Sequence, residues 1–91
     1  MIYVIKKDGT REEFNVQKVI TAVNKSAERA MVKFTDEEHD FICRYVEDKV
    51  LELGKKRIQI KQMHNIVEGA LEEVNPDVAK SYRDYRNYKQ D

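Results

Sequence analysis

Asp8-Gly9 lies between two β-type runs, residues 2–5 (IYVI) and residues 10–14 (TREEF), and it is the feature that most limits what this chain can fold into. An Asp-Gly pair in that setting signals a hairpin turn. A single hairpin is not stable alone in water, so one of its faces has to lie on other elements. Almost everything downstream reads as helix, with room for one short extended segment near residues 57–60. A small hairpin laid on a helical bundle is therefore the architecture to expect.

The helices announce themselves by caps and period. Asn15 is a good N-cap, and Val16, Val19, Ile20, Val23 and Ala27 follow at helical spacing. Phe14 and Val19 occupy the two positions of a hydrophobic staple. Thr35-Asp36-Glu37-Glu38 is a capping-box start, with Phe41, Ile42, Tyr45, Val46, Val50 and Leu53 as the expected buried stripe and Gly54 as the stop. Ile60 opens a third helix with Met63, Ile66, Val67, Ala70, Leu71 and Val74 inward. Asn75-Pro76 restarts the chain as a fourth. The expectation is an α+β domain covering residues 1–91: a hairpin over 2–14, extended to a three-stranded cap by residues 57–60, and helices over about 15–30, 35–53, 60–74 and 76–89.

Ninety-one residues suffice for one modest core. Lysine plus arginine and aspartate plus glutamate number 17 each, which argues against general binding to nucleic acid or an anionic membrane and leaves room for a local basic pocket. The single cysteine, Cys43, allows no internal disulfide, and a reducing, cytoplasmic setting is the expectation. No apolar run has the length of a membrane span. With three glycines there is no glycine-rich phosphate loop, and no nucleophile–base pattern points to catalysis. His39 and Cys43 share a helix face but, with His64, fall short of a zinc set, so no metal site is expected.

Three cations stand in odd places. A two-residue turn would pair Lys6 with Arg11, Lys7 with Thr10, Ile5 with Glu12 and Tyr3 with Phe14. Like charges directly opposite destabilise a hairpin, so either an anion belongs there or the turn is longer. Lys18 sits in the first turn of the first helix, where the helix dipole disfavours a cation. Lysines gathered at a helix start can hold a polyphosphate; the plain alternative is three solvated lysines. Glu12 and Asn15, beside apolar Phe14 and Val19, could read the edge of an adenine, or be a surface carboxylate and a cap. Tyr82, Tyr85 and Tyr88, interleaved with Arg83, Arg86 and Lys89, read first as a packing stripe and second as a stacking surface for single-stranded nucleic acid.

The stretch VIKKDGTREEFNVQKV (residues 4–19) resembles the opening of the ATP-cone domain, an allosteric nucleotide-binding module. RIQIKQMHNIVEGAL and VAKSYRDYRNYK are similar to its third and last helices, so the likeness runs nearly the whole chain. The resemblance implies a small β-cap over a four-helix bundle. It also implies ATP or dATP as effector, accompanied by Mg2+, with no catalytic site in the domain. ATP-cones occur at the N-termini of ribonucleotide reductases and in a repressor of their genes. The start MIYVIKKDG and the end AKSYRDYRNYK look most like the anaerobic ribonucleoside-triphosphate reductases. Implied partners are the reductase catalytic domain or subunits, with self-association of the module. The rival readings are the sensing part of the repressor and a non-binding oligomerisation module.

By the same resemblance, Lys6 and Lys7 match the basic pair that grips phosphates, and Lys18 the helix lysine of that pocket. Glu12 and Asn15 match the adenine-reading groups, and Phe14 and Val19 the apolar contacts to the base. His64 matches a ribose-side position and Lys89 a late basic position near the phosphates. The second basic residue is more often arginine, where this chain has Lys7. Ile60 stands where many members carry a small hydroxyl residue.

Overall fold

The computed structural model describes residues 1–89, and of 85–89 only the backbone. In chain order it contains β1 (Tyr3–Ile5), β2 (Arg11–Glu13), α1 (Val16–Arg29), α2 (Asp36–Glu52), β3 (Arg57–Gln59), α3 (Ile60–Val74) and α4 (Pro76–Lys89). The α+β class holds, with a three-stranded sheet beside four helices. Strand order is β2-β1-β3. β2 pairs antiparallel and β3 parallel to β1.

The hairpin register departs from the two-residue turn. Tyr3 pairs with Glu13, Val4 with Glu12 and Ile5 with Arg11. The Lys6 N–H donates to the Thr10 carbonyl at 2.8 Å, and the Gly9 N–H to the Lys6 carbonyl at 2.9 Å. The loop thus holds three residues, Lys7, Asp8 and Gly9, with Gly9 in the left-handed region at φ 88°. This is the common three-residue hairpin, a turn closed by a left-handed glycine. Asp8 Oδ1 accepts from the Thr10 hydroxyl at 2.6 Å and the Thr10 N–H at 3.0 Å, fixing the exit. The Lys6–Arg11 clash does not arise. Arg11 instead lies over the Tyr3 ring, 4.9 Å from its centroid.

A one-residue slip in register moves every side chain of a strand to the opposite face. Here it sets Glu12 beside Val4, and Val4 beside Ile58 of β3, in one row across the sheet. Ile58 is fully buried in the core, so this row is the face turned to the helices. A carboxylate therefore stands at the end of an otherwise apolar row.

The core joins Val23 and Ala27 of α1, Ile42, Val46 and Val50 of α2, Met63, Val67, Ala70 and Leu71 of α3, and Val78, Ala79 and Tyr82 of α4. α1 packs chiefly on α4, α2 on α3, and α3 on α4. Arg83 ties the last pair together, with Nε 2.5 Å from Glu68 and Nη2 3.2 Å from Glu72. Tyr82 is buried as a packing residue; the side chains of Tyr85, Tyr88 and Lys89 lie outside the described residues.

Phe41 departs from the expected stripe of α2: it is 43% exposed, beside half-buried Tyr45 with ring centroids 6.0 Å apart. α1 ends in a way the sequence did not announce. Met31 follows the cap at φ 59°, the Val32 N–H donates to Ala27 and the Met31 N–H to Glu28. That is a Schellman ending built on a non-glycine residue.

Candidate functional site

A cavity of about 240 Å³ opens between the inner face of the sheet, the first turns of α1, the start of α3 and Tyr82 of α4. Each element brings a different chemistry. β1 and the residue after it supply Val4 and Lys6, β2 supplies Glu12 and Glu13, and the junction to α1 supplies Phe14 and Asn15. α1 adds Lys18, Val19 and Ala22, and α3 adds Ile60, Met63, His64 and Val67. The interior is apolar and the charged groups stand at the rim, where Lys6 and Lys18 are 45% and 64% exposed.

Local sequence explains each placement. Phe14 is held where β2 ends by its N–H bond to the Ile2 carbonyl at 2.8 Å, and both Phe14 and Val19 reach the cavity. The Asn15 side chain accepts from the Gln17 N–H at 2.9 Å, capping α1. With its oxygen so engaged, its amide nitrogen is the group able to donate to a ligand. β3 runs into α3 without a side-chain cap, which brings Ile60 and His64 to the opposite wall. The His64 ring meets the Tyr82 ring edge-on at 6.0 Å.

Glu12 is the electrostatic centre. Its Oε2 lies 3.2 Å from Lys6 Nζ, and its Oε1 contacts Lys18 Nζ. The two lysines, one from the hairpin and one from α1, thus share a single carboxylate. These three side chains carry a net charge of +1, Glu13 adds a second carboxylate to the same lining, and the end of α1 beside them is the positive end of the helix dipole. No acidic residue stands in that first turn. All three groups are about a third exposed or more, so each pair contributes ~0–1 kcal/mol to stability.

Of the residues singled out in the sequence, Lys6, Glu12, Phe14, Asn15, Lys18, Val19, Ile60 and His64 border this one cavity. Lys7 does not; it is exposed in the turn, because the three-residue loop takes it off the strand. Val4, Met63, Val67 and Tyr82 border it as well and were read from the sequence only as strand or packing residues, and Glu13 and Ala22 border it without having been singled out. For Ala22, Met63 and Val67 the signal that could have found them is helical spacing, three residues on from Val19 and three and seven on from Ile60.

His39 bonds Asn24 at 2.7 Å and meets Phe34 edge-on, far from a ligand set. Cys43 is half-buried and its thiol is pushed up, first by burial and then by Glu47 and Asp40. Among the described residues no cluster of three or more metal-ligating side chains forms, and no helix is long and apolar enough to cross a membrane.

A family model described as the ATP cone domain matches residues 2–91. An anaerobic ribonucleoside-triphosphate reductase from Haemophilus influenzae is 36% identical over 89 residues, covering 92% of this chain and 12% of the reductase. The transcriptional repressor NrdR of Limosilactobacillus fermentum is 35% identical over 74 residues, covering 81% of this chain and 47% of the repressor. NrdR of Streptococcus pyogenes is 32% identical over 90 residues, covering 91% and 54%. The chain thus spans about half the length of these repressors and a small part of the reductase.

Proposed function

The chain belongs to the ATP cone domain family, and from that premise we propose that it is the allosteric ATP- and dATP-sensing domain that sets the overall activity of a ribonucleotide reductase. The observation that carries this reading is the convergence of Lys6 and Lys18 on the rim of an apolar cavity at the start of α1. Apolar walls suit a purine, and the lysines of the rim suit phosphates.

The size of the cavity supports the same orientation. At about 240 Å³ it is smaller than the roughly 300–1,000 Å³ of pockets that enclose a drug-sized ligand. It seats the base and leaves the triphosphate to extend past the lysines. On this reading Phe14 and Val19 hold the base, Glu12 and Asn15 read its edge, and His64 lies on the ribose side, while Ile60 stands at the family's position for a phosphate contact, where it has no hydroxyl to offer. Lys6 and Lys18 take the nearer phosphates. Lys7 and Lys89 are assigned to the outer phosphates on the family pattern. Mg2+ would arrive with the triphosphate and be held by phosphate oxygens and water.

A second reading keeps the sensor and changes the parent: the nucleotide-sensing part of a transcriptional repressor. It is favoured by the two NrdR proteins, which match most of this chain. The partners are then promoter DNA through another part of that protein rather than reductase subunits.

The test is a thermal titration with ATP and with dATP. A ligand at a hundredfold excess over its Kd stabilises by about 2.7 kcal/mol, which for a domain of this size is a rise of roughly 10–20 °C. Lys6→Ala combined with Lys18→Ala should abolish that rise. A flat titration at millimolar nucleotide would leave the non-binding module in its place.

A further inference from the structure

Glu12 occupies both lysines of the rim with its own carboxylate, one on each oxygen. It also stands on the wall of the cavity, on the row that runs through Val4 to buried Ile58. Those two positions conflict once a phosphate approaches. We propose that Glu12 is a built-in competitor for the phosphate lysines, so that the site accepts an anion only when the attached base can take over the displaced carboxylate.

The chain of events is electrostatic. A triphosphate draws Lys6 and Lys18 to itself because it carries more charge than one carboxylate. Glu12 then loses both ammonium groups while facing an apolar wall formed by Val4, Phe14 and Val19. A carboxylate only about a third exposed that exchanges two ammonium groups for partial hydration there loses stabilisation. A base that presents an exocyclic amine at its edge supplies the donor. A base that presents a carbonyl oxygen at that position repels the carboxylate instead. An anion with no base at all leaves Glu12 with partial hydration in place of its two ion pairs. The residue therefore links phosphate binding to base identity, and it discriminates against both bare polyphosphate and 6-keto purines. This inference rests on the nucleotide reading of the same cavity for its base, and on the two ion pairs alone for its competition.

The experiment is calorimetric titration of the 91-residue chain with tripolyphosphate, ATP and inosine triphosphate, comparing wild type with Glu12→Gln and Glu12→Ala. Glutamine keeps the shape and removes the charge. Wild type should bind ATP about tenfold or more tighter than inosine triphosphate, with tripolyphosphate the weakest. Both variants should bind tripolyphosphate about tenfold tighter than wild type, with the gain shrinking as salt is raised. The preference for ATP over inosine triphosphate should narrow in both. Tripolyphosphate affinity unchanged or weakened in both variants, with ATP still bound by wild type, overturns the competition and leaves the proposed function standing. Tighter tripolyphosphate in the variants with no ATP binding by wild type supports the competition and removes the nucleotide reading. Failure of all three proteins to bind any of the three ligands overturns both.

Discussion

At the start of α2, Thr35 accepts from the Glu38 N–H and Glu38 returns the bond to the Thr35 N–H, with Asp36, Glu37 and Glu38 all in the first turn. At the start of α1, Asn15 caps the helix, no acid follows, and Lys18 adds a positive charge. The first arrangement satisfies its own donors and neutralises its own dipole. The second leaves the positive end of the helix beside an apolar hollow, with Lys6 and Lys18 paired to Glu12 of the sheet and Glu13 next to it. On the proposed function, the contrast separates a helix start that serves stability from one arranged for an anion. The difference lies in what is withheld: α1 forgoes the stabilisation that an acidic first turn would bring.

The sharpest way to break this comparison is to give α1 the charge of α2. Lys18→Glu should remove most of the nucleotide-linked gain of about 2.7 kcal/mol at hundredfold ligand excess. It should leave the ligand-free melting point within about 8 °C, because the changed group is exposed. Thermal melts with and without ATP measure both, and a retained ATP response would show that the start of α1 is not an anion site. Next in size is the pair of cap deletions. Thr35→Ala and Asn15→Ala should each cost about 1 kcal/mol in urea unfolding, yet only Asn15→Ala should also blunt the nucleotide response. Equal ATP shifts in the two variants would erase the distinction.

A smaller effect belongs to the other end of α1. Met31, 95% exposed and at φ 59°, bears a left-handed backbone that glycine adopts freely. Met31→Gly should stabilise by roughly 0.5–1 kcal/mol in chemical unfolding without touching nucleotide affinity. The smallest effect is a pH dependence in the hairpin loop. The Thr10 hydroxyl and N–H hold the Asp8 carboxyl below its ordinary value of 3.8. A lowered folded value means the contribution is complete above the ordinary value and is lost as pH falls through the lower one. Asp8→Ala should therefore lower stability slightly at neutral pH, with the deficit against wild type vanishing as pH falls below about 4, so that the acid limb of the stability curve is flatter.

Much of this was legible in the residues because the signals are local. A cap followed by an apolar period fixes a helix whatever surrounds it, as at Thr35 and Asn75, where the side chains make the cap bonds their types suggest. Phe41 shows where the period runs out. It shares a helix edge with Tyr45, and only the placement of neighbouring elements decides that the ring stays uncovered. Lys7 shows the same at the site, since a single added residue in the turn takes it from the strand to the loop tip.

The chain order, the four helices, the hairpin and the collection of polar and basic residues at its root were set by sequence alone, because capping, turn chemistry and apolar period act over a few residues. Which face of β2 carries Glu12, and hence whether that carboxylate meets Lys6 and Lys18, was decided only in the folded molecule. Side chains on a strand alternate with a period of two, so a shift of one residue in pairing exchanges inside for outside. That shift is fixed by the loop conformation at Gly9 and by the docking of β3 beside β1, a contact between segments about fifty residues apart.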